Sequence, residues 1–290
     1  MKEILVVANR TLGGKKLFDT VRERAAGGDV RFRLVVPQSK PSAGLVIYDE
    51  AVRESAQVRV DLAISLVTEE GIEATGEVGD PDPFSATMDA IAERRPEEII
   101  LSTHPATQSG WLRRDLIERI QNASGLPVEH IVTDLEQEGL PFRVTLVVAS
   151  KTASGNELLE HLRSKAADGG TQPEGLCRHV FIAVVPLQDG SGSAPREARA
   201  RLAAMLDRLH AAELIGSGMI GDPDPYTAAI NALELFRVDD VVISTLPGER
   251  SGWMRSNLIE RVSHNTSAKV EHVVVDLQAN TTTAAPAAAG

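Results

Sequence analysis

Residues 79–103 read GDPDPFSATMDAIAERRPEEIILST, and residues 221–245 read GDPDPYTAAINALELFRVDDVVIST. Each stretch carries three signals in order. An Asp-Pro pair, Asp82-Pro83 or Asp224-Pro225, opens a helix: Asp suits the N-cap and Pro the first turn. Phe84, Met88 and Ile91, spaced four then three, form an apolar helical stripe, and Tyr226, Ile230 and Leu233 repeat it. A continuous apolar run then closes each stretch, Ile99 to Ser102 in the first, as expected of a strand covered on both faces. The sequence is therefore βα-alternating, and it is alternating twice.

Working outward, the duplication extends over the whole chain. Leu5-Val6-Val7-Ala8-Asn9-Arg10-Thr11 returns as Leu146-Val147-Val148-Ala149-Ser150-Lys151-Thr152. Ser109-Gly110-Trp111 returns as Ser251-Gly252-Trp253, and Val128-Glu129-His130 as Val270-Glu271-His272. From Gly79 to Leu135 roughly 25 of about 57 residues are identical at an offset of about 142, the length of a whole domain rather than of a solenoid unit. Ile4 to Ala8, Val30 to Val36, Ile72 to Val78, Ile99 to Ser102 and Val128 to Thr133 read as strands separated by helical patterns. Another stripe, Trp111, Leu112, Leu116, Ile117 and Ile120, marks the fourth helix. Alternation of this kind implies a parallel sheet with right-handed crossovers. The expected fold class is α/β: two tandem doubly wound domains, each a five-stranded parallel sheet with helices on both faces. The expected boundaries are residues 1–135 for the first copy, 136–142 for a linker, 143–278 for the second copy and 279–290 for a disordered tail of Thr, Ala, Pro and Gly.

At 290 residues the chain accommodates two cores. Its net charge of -11 argues against a duplex-binding surface, so no nucleic-acid partner is expected. A single cysteine, Cys177, excludes an intrachain disulfide and fits a reducing cytoplasm. No segment reaches the ~20 apolar residues of a membrane span, so no membrane association is expected.

The order of signals from the third strand onward resembles the universal stress protein family. In that family a Gly-Asp-Pro follows strand three, then come a helix of the Ala-x-x-Ile type, an apolar strand, a Gly/Ser loop, a fourth helix and a last apolar strand. Gly79-Asp80-Pro81, Ala90-Ile91, Ile99-Ile100-Leu101, Ser102-Thr103, Leu116-Ile117 and Val128 to Val132 keep that order, and Gly221 to Val275 keeps it again. The resemblance implies strand order 3-2-1-4-5 and a ligand crevice between strands one and four, where open α/β sheets bind ligands. The crevice residues are then Ala8, Asn9, Ser102, Thr103, Ser109 and Gly110 in the first copy, and Ala149, Ser150, Ser244, Thr245, Ser251 and Gly252 in the second. The ligand raised by the resemblance is ATP or AMP, with no cofactor required.

The departures weaken that expectation. ATP-binding members carry an Asp at the end of strand one, where this chain has Ala8-Asn9 and Ala149-Ser150. They also carry G-x2-G-x9-G-[S/T] after strand four, whose backbone N–H groups cradle phosphates, whereas here one glycine survives per copy. Gly13-Gly14-Lys15-Lys16 looks like a phosphate loop but lacks the GxxxxGK[ST] pattern, and a solvated helix start is the plainer reading of Lys15. Ser109 and Ser251 read as helix caps, with or without ligand contact. Trp111 and Trp253 read as core residues rather than adenine stackers. Asp82 and Asp224 read as structural. His130 and His272 have no second ligand at metal spacing. No nucleophile–base set recurs in both copies, which weighs against an enzyme. Two functions remain: a weak, non-catalytic binder of an adenine nucleotide or another phosphate ligand, and an interaction module of the same fold that has lost ligand binding. The resemblance also implies that the last strands, at sheet edges, join the two copies as a pseudo-dimer or join two chains as a homodimer.

Overall fold

The computed structural model describes residues 1–38, 49–105, 115–167, 178–187, 194–248, 253 and 257–277. The chain divides into two compact units, which meet in sequence between Pro141 and Phe142.

In the first unit the apolar runs become β1 (Lys2–Val7), β2 (Val30–Pro37), β3 (Glu73–Gly79), β4 (Glu98–Thr103) and β5 (Val128–Val132). The helices between them are α1 (Lys15–Ala26), α2 (Asp49–Thr68), α3 (Pro83–Glu93) and α4 (Leu116–Ser124). All strand pairs are parallel and the order is β3-β2-β1-β4-β5. β1 is central: Val6 lies opposite Leu34 on one side and Ile100 on the other. Strand faces alternate, so each sheet needs cover on both sides. Leu5, Val7, Ile99 and Leu101 pack with Ala86, Ala90, Leu116 and Ile120 of α3 and α4. On the other face Val6, Phe32 and Leu34 meet Leu17, Phe18 and Val21 of α1 and Ala63 and Val67 of α2 around a small apolar cavity.

A single helical turn, α5 (Leu135–Glu138), occupies the stretch read as linker, capped by the Asp134 carboxylate. The second unit repeats the architecture with β6 (Phe142–Val148), β7 (Arg178–Pro186), β8 (Ile215–Gly221), β9 (Asp240–Thr245) and β10 (Lys269–Val274). Its helices are α6 (Asn156–Ala167), α7 (Ala194–Ala211), α8 (Pro225–Leu235) and α9 (Leu258–Ser263). The strand order, β8-β7-β6-β9-β10, is that of the first unit, again all parallel. Val147, Phe181, Ala183, Val242 and Val273 pack with Leu158 and Leu162 of α6 and Met205 and Leu209 of α7.

The Asp-Pro-Asp-Pro segments act as helix starts. The Asp82 carboxylate accepts from Ser85 N and Ser85 Oγ, both at 3.1 Å, and Pro83 occupies the first turn of α3. Asp224 accepts from Thr227 N at 3.0 Å and Thr227 Oγ1 at 2.8 Å. The preceding carboxylates, Asp80 and Asp222, accept from the backbone N–H of Asp82 and Asp224. All four are used by the backbone turn. The glycine that opens each segment is there for packing: a Cβ on Gly79 would sit 2.7 Å from Ala86 Cβ, and one on Gly221 would sit 2.6 Å from Ala228 Cβ.

Candidate functional site

In each unit the chain leaves β1 or β6 toward one helix and leaves β4 or β9 toward another on the opposite face. The carboxyl ends of these two neighbouring strands therefore form the switch point of the sheet. Ala8 and Asn9 follow β1, and Ser102 and Thr103 end β4. All four are buried, as are Ala149, Ser150, Ser244 and Thr245 in the second unit. Ser109, Gly110, Ser251 and Gly252, with Trp111 and the capping role assigned to the two serines, lie outside the described residues. Trp253 is half-buried.

Hydrogen bonding decides what these groups can offer. Thr11, which follows the predicted residues, donates its hydroxyl to the Ser102 carbonyl at 3.1 Å and ties the loop after β1 to the end of β4. Thr152 does the same to the Ser244 carbonyl at 3.1 Å. Thr103 Oγ1 donates to the His104 carbonyl at 3.0 Å and lies 2.8 Å from His130 Nε2. A hydroxyl has one proton, so the second contact has the imidazole donating, which places the ring proton on Nε2. The pair recurs as Thr245 with the Leu246 carbonyl (3.2 Å) and His272 Nε2 (2.8 Å). Burial lowers the pKa of both rings and so favours their neutral form. The two histidines thus anchor the last strand to its neighbour. The cost for ligand binding is that neither threonine has a proton left to donate.

The serines divide differently. Ser102 Oγ lies 3.3 Å from Thr133 Oγ1. The residue matching Thr133 in the second unit is Val275, and there Ser244 Oγ is buried without a partner, as is Ser150 Oγ. In the first unit the place of Ser150 is taken by Asn9, whose side-chain amide donates to the Pro37 carbonyl at 2.5 Å. The Ser102 hydroxyl of the first unit thus has a partner that its equivalent, Ser244, lacks.

The glycine before α1 has a structural cause that local pattern could not show. A Cβ on Gly14 would collide with Thr133 Cγ2, and one on Gly155 would collide with Val275 Cγ1. The start of the first helix of each unit thus sits against the residue that follows the last strand, at the crevice rim. Lys15 pairs with Asp19 at 2.8 Å on the exposed helix face.

Arg10 lies in the loop after β1, Arg59 on α2 and His104 after β4. Burial and the positive charge of Arg10 push the Arg59 guanidinium down to about 9. His104 is lowered by burial and by Arg10, while Asp134 and Glu136 pull it the other way. Among the described residues no group of three or more His, Cys, Asp and Glu is placed to hold a metal ion. No described helix is long and apolar enough to cross a membrane.

No family model matches the chain, and no curated protein matches it. Among solved structures the chain is similar to a universal stress protein from Archaeoglobus fulgidus DSM 4304, at 14% identity over 95% of this chain and 97% of that one, with a TM-score of 0.35. It is also similar to a protein from Pseudomonas aeruginosa UCBPP-PA14 assigned to the same group, at 15% identity over 95% of this chain and 94% of that one, with a TM-score of 0.34.

Proposed function

We propose that the chain is a non-catalytic protein of universal-stress type that holds an adenine nucleotide or another phosphate ligand weakly and without turnover. The observation that carries this reading is the switch point, built twice from the same strand order with small polar residues at its ends. Weak binding follows from the chemistry of those residues. The hydroxyls of Thr103 and Thr245 are already committed, and Pro105 and Pro247 follow β4 and β9, each two residues beyond its last threonine. Proline has no N–H to give a phosphate, and side chains keep the backbone from approaching it as glycine allows. A cytoplasmic home belongs to the same reading and rests on the lone cysteine. Titrating ATP, ADP, AMP and cyclic AMP while following tryptophan emission tests it. A saturable, low-affinity change is expected with at least one of the four. No response to any of them, or nucleotide retained through purification, would overturn it.

A second reading has its own observation. Val132 and Val274, equivalent residues at the ends of the edge strands β5 and β10, are 40% and 47% exposed. Apolar side chains on unpaired edges invite strand addition. In this reading the protein is an interaction module that joins through its last strands, either copy to copy or chain to chain. Light scattering on the wild type and on a Val132→Lys/Val274→Lys double variant tests the chain-to-chain form, which predicts a dimer that the variant loses.

A further inference from the structure

The central strands of the two units are interchangeable over most of their length. β1 carries Leu5-Val6-Val7-Ala8 at its carboxyl end, and β6 carries Leu146-Val147-Val148-Ala149. Each lies between its neighbours in the same parallel order. Each is also anchored by the same backbone bond: Glu3 N donates to the Glu97 carboxylate at 2.6 Å, and Val144 N to the Asp239 carboxylate at 2.8 Å. Two such strands in one chain give the fold a close competitor, in which one unit takes the other's strand or the strand of a second chain.

The copies differ at the amino ends of these strands. Glu3, 4% exposed, is buried among three guanidinium groups. Arg31 Nε and Arg94 Nη1 each lie 2.9 Å from its Oε2, and Arg33 Nε lies 3.2 Å from its Oε1. Arg33, 5% exposed, also donates through Nη2 to the Ala90 and Arg94 carbonyls at 2.7 and 2.5 Å. In the second unit, strand register places Val144, Val180 and Ile182 where the first has Glu3, Arg31 and Arg33. Phe236 follows α8 as Arg94 follows α3. All four replacements are buried. Glu77 and Glu93, at 3.9 and 3.5 Å from Arg33 Nη1, match Met219 and Leu235, which are buried too. A charged cluster in one copy is thus replaced, position for position, by an apolar one in the other.

The fold does not need the charges, since the second unit builds the same topology without them. A buried ion cluster also adds little net stability over apolar side chains of similar volume. What it changes is the cost of a wrong partner. β1 seated in the second unit would bury Glu3 against Val180, Ile182 and Phe236 with no cation. β6 seated in the first would set Val144 beside Arg33 with no carboxylate. A buried charge stripped of its partner is strongly destabilising in both cases.

We propose that the cluster of Glu3 with Arg31, Arg33 and Arg94 is a matching device: it makes the first unit accept only its own first strand, and so prevents strand exchange between the two copies and between chains.

The test is refolding of the full chain from urea by dilution, scored by size-exclusion chromatography as the fraction recovered in the native peak. One variant, Glu3→Val/Arg31→Val/Arg33→Ile/Arg94→Phe, gives both copies the apolar set. A second variant adds Val144→Glu/Val180→Arg/Ile182→Arg/Phe236→Arg, which exchanges the two sets and keeps the copies different. The first variant should leave at least about fivefold more protein outside the native peak than the wild type, as exchanged dimers or larger species. Its native peak should unfold at the same or a higher urea concentration than the wild type. The second variant should refold within about twofold of the wild type. Its recovery carries the proposal even where the first variant gives no native peak. Refolding of the first variant as faithful as that of the wild type would overturn the proposal. So would failure of both variants, which would make the cluster a requirement of the first unit rather than a means of telling the copies apart.

Discussion

Replacing Gly14 by Ala separates two explanations of the same glycine. Its backbone, at φ -68° and ψ 141°, is one that alanine adopts without strain. On conformational grounds alone Gly14→Ala should be neutral or should stabilise by ~0.4–1 kcal/mol, since alanine restricts the unfolded chain. Packing predicts the opposite. The new methyl would overlap Thr133 Cγ2 and lie 3.2 Å from the Thr11 carbonyl and 3.3 Å from Thr133 Cβ. Thr133 is fully buried, so the overlap has no outlet. Overpacking of this kind costs ~1–3 kcal/mol, which leaves a net loss of ~0.5–2 kcal/mol after the unfolded-state gain. Thr133→Ser is the matching change. It removes Cγ2, keeps the hydroxyl beside Ser102, and by itself costs ~1 kcal/mol for one buried methyl. The double variant should then be more stable than the sum of the singles by ~1 kcal/mol, which is within reach of a double-mutant cycle. The assay is urea unfolding followed by tryptophan emission in a Trp253→Phe background, where Trp111 alone reports the first unit. A glycine kept for close phosphate approach would instead leave stability unchanged and lower ligand affinity. Gly14→Ala at or above wild-type stability, or strictly additive effects, would refute the packing explanation.

Asp82→Ala and Asp224→Ala should each lower stability by ~0.5–2 kcal/mol through loss of a helix cap, with Asp82→Asn nearly silent; equal losses for Ala and Asn in thermal melts would point to a charge role instead. Glu271 supplies a pH dependence. Burial by itself would raise its carboxyl, but hydrogen bonds from Lys269, Lys165 and His161 outweigh burial and hold it down at about 2, below the usual 4.5. Its contribution is therefore fully present above pH 4.5 and lost as pH falls toward 2. Thermal melts of Glu271→Gln should lie below the wild type at pH 6 and converge with it near pH 2. His179 acts in the same sense at higher pH. Burial lowers its pKa although the Lys165 carbonyl bond supports the charged form. The unfolded chain then takes up that proton first, so stability should fall as pH drops through 6.5, and His179→Phe should flatten that part of the profile.

The legible part of this protein is the part written in short-range pattern. The Asp-Pro caps, the 3.6-period stripes and the apolar strands are each decided within a few residues, because capping spans three positions and periodicity one or two turns. Repetition of those signals at one offset made the tandem α/β architecture readable, and with it the location of the switch points. The crevice chemistry was not readable, because it is set by residues far apart in the chain. Whether Thr103 can donate depends on His130, whether Ser102 is satisfied depends on Thr133, and Gly14 is required by that same Thr133. Sequence by itself determined the order of elements and their duplication, since local backbone preference and side-chain periodicity act along the chain. Which polar groups are spent on the fold, and which are left for an anion, is decided by side chains brought together across the sheet, and only the tertiary structure holds that information.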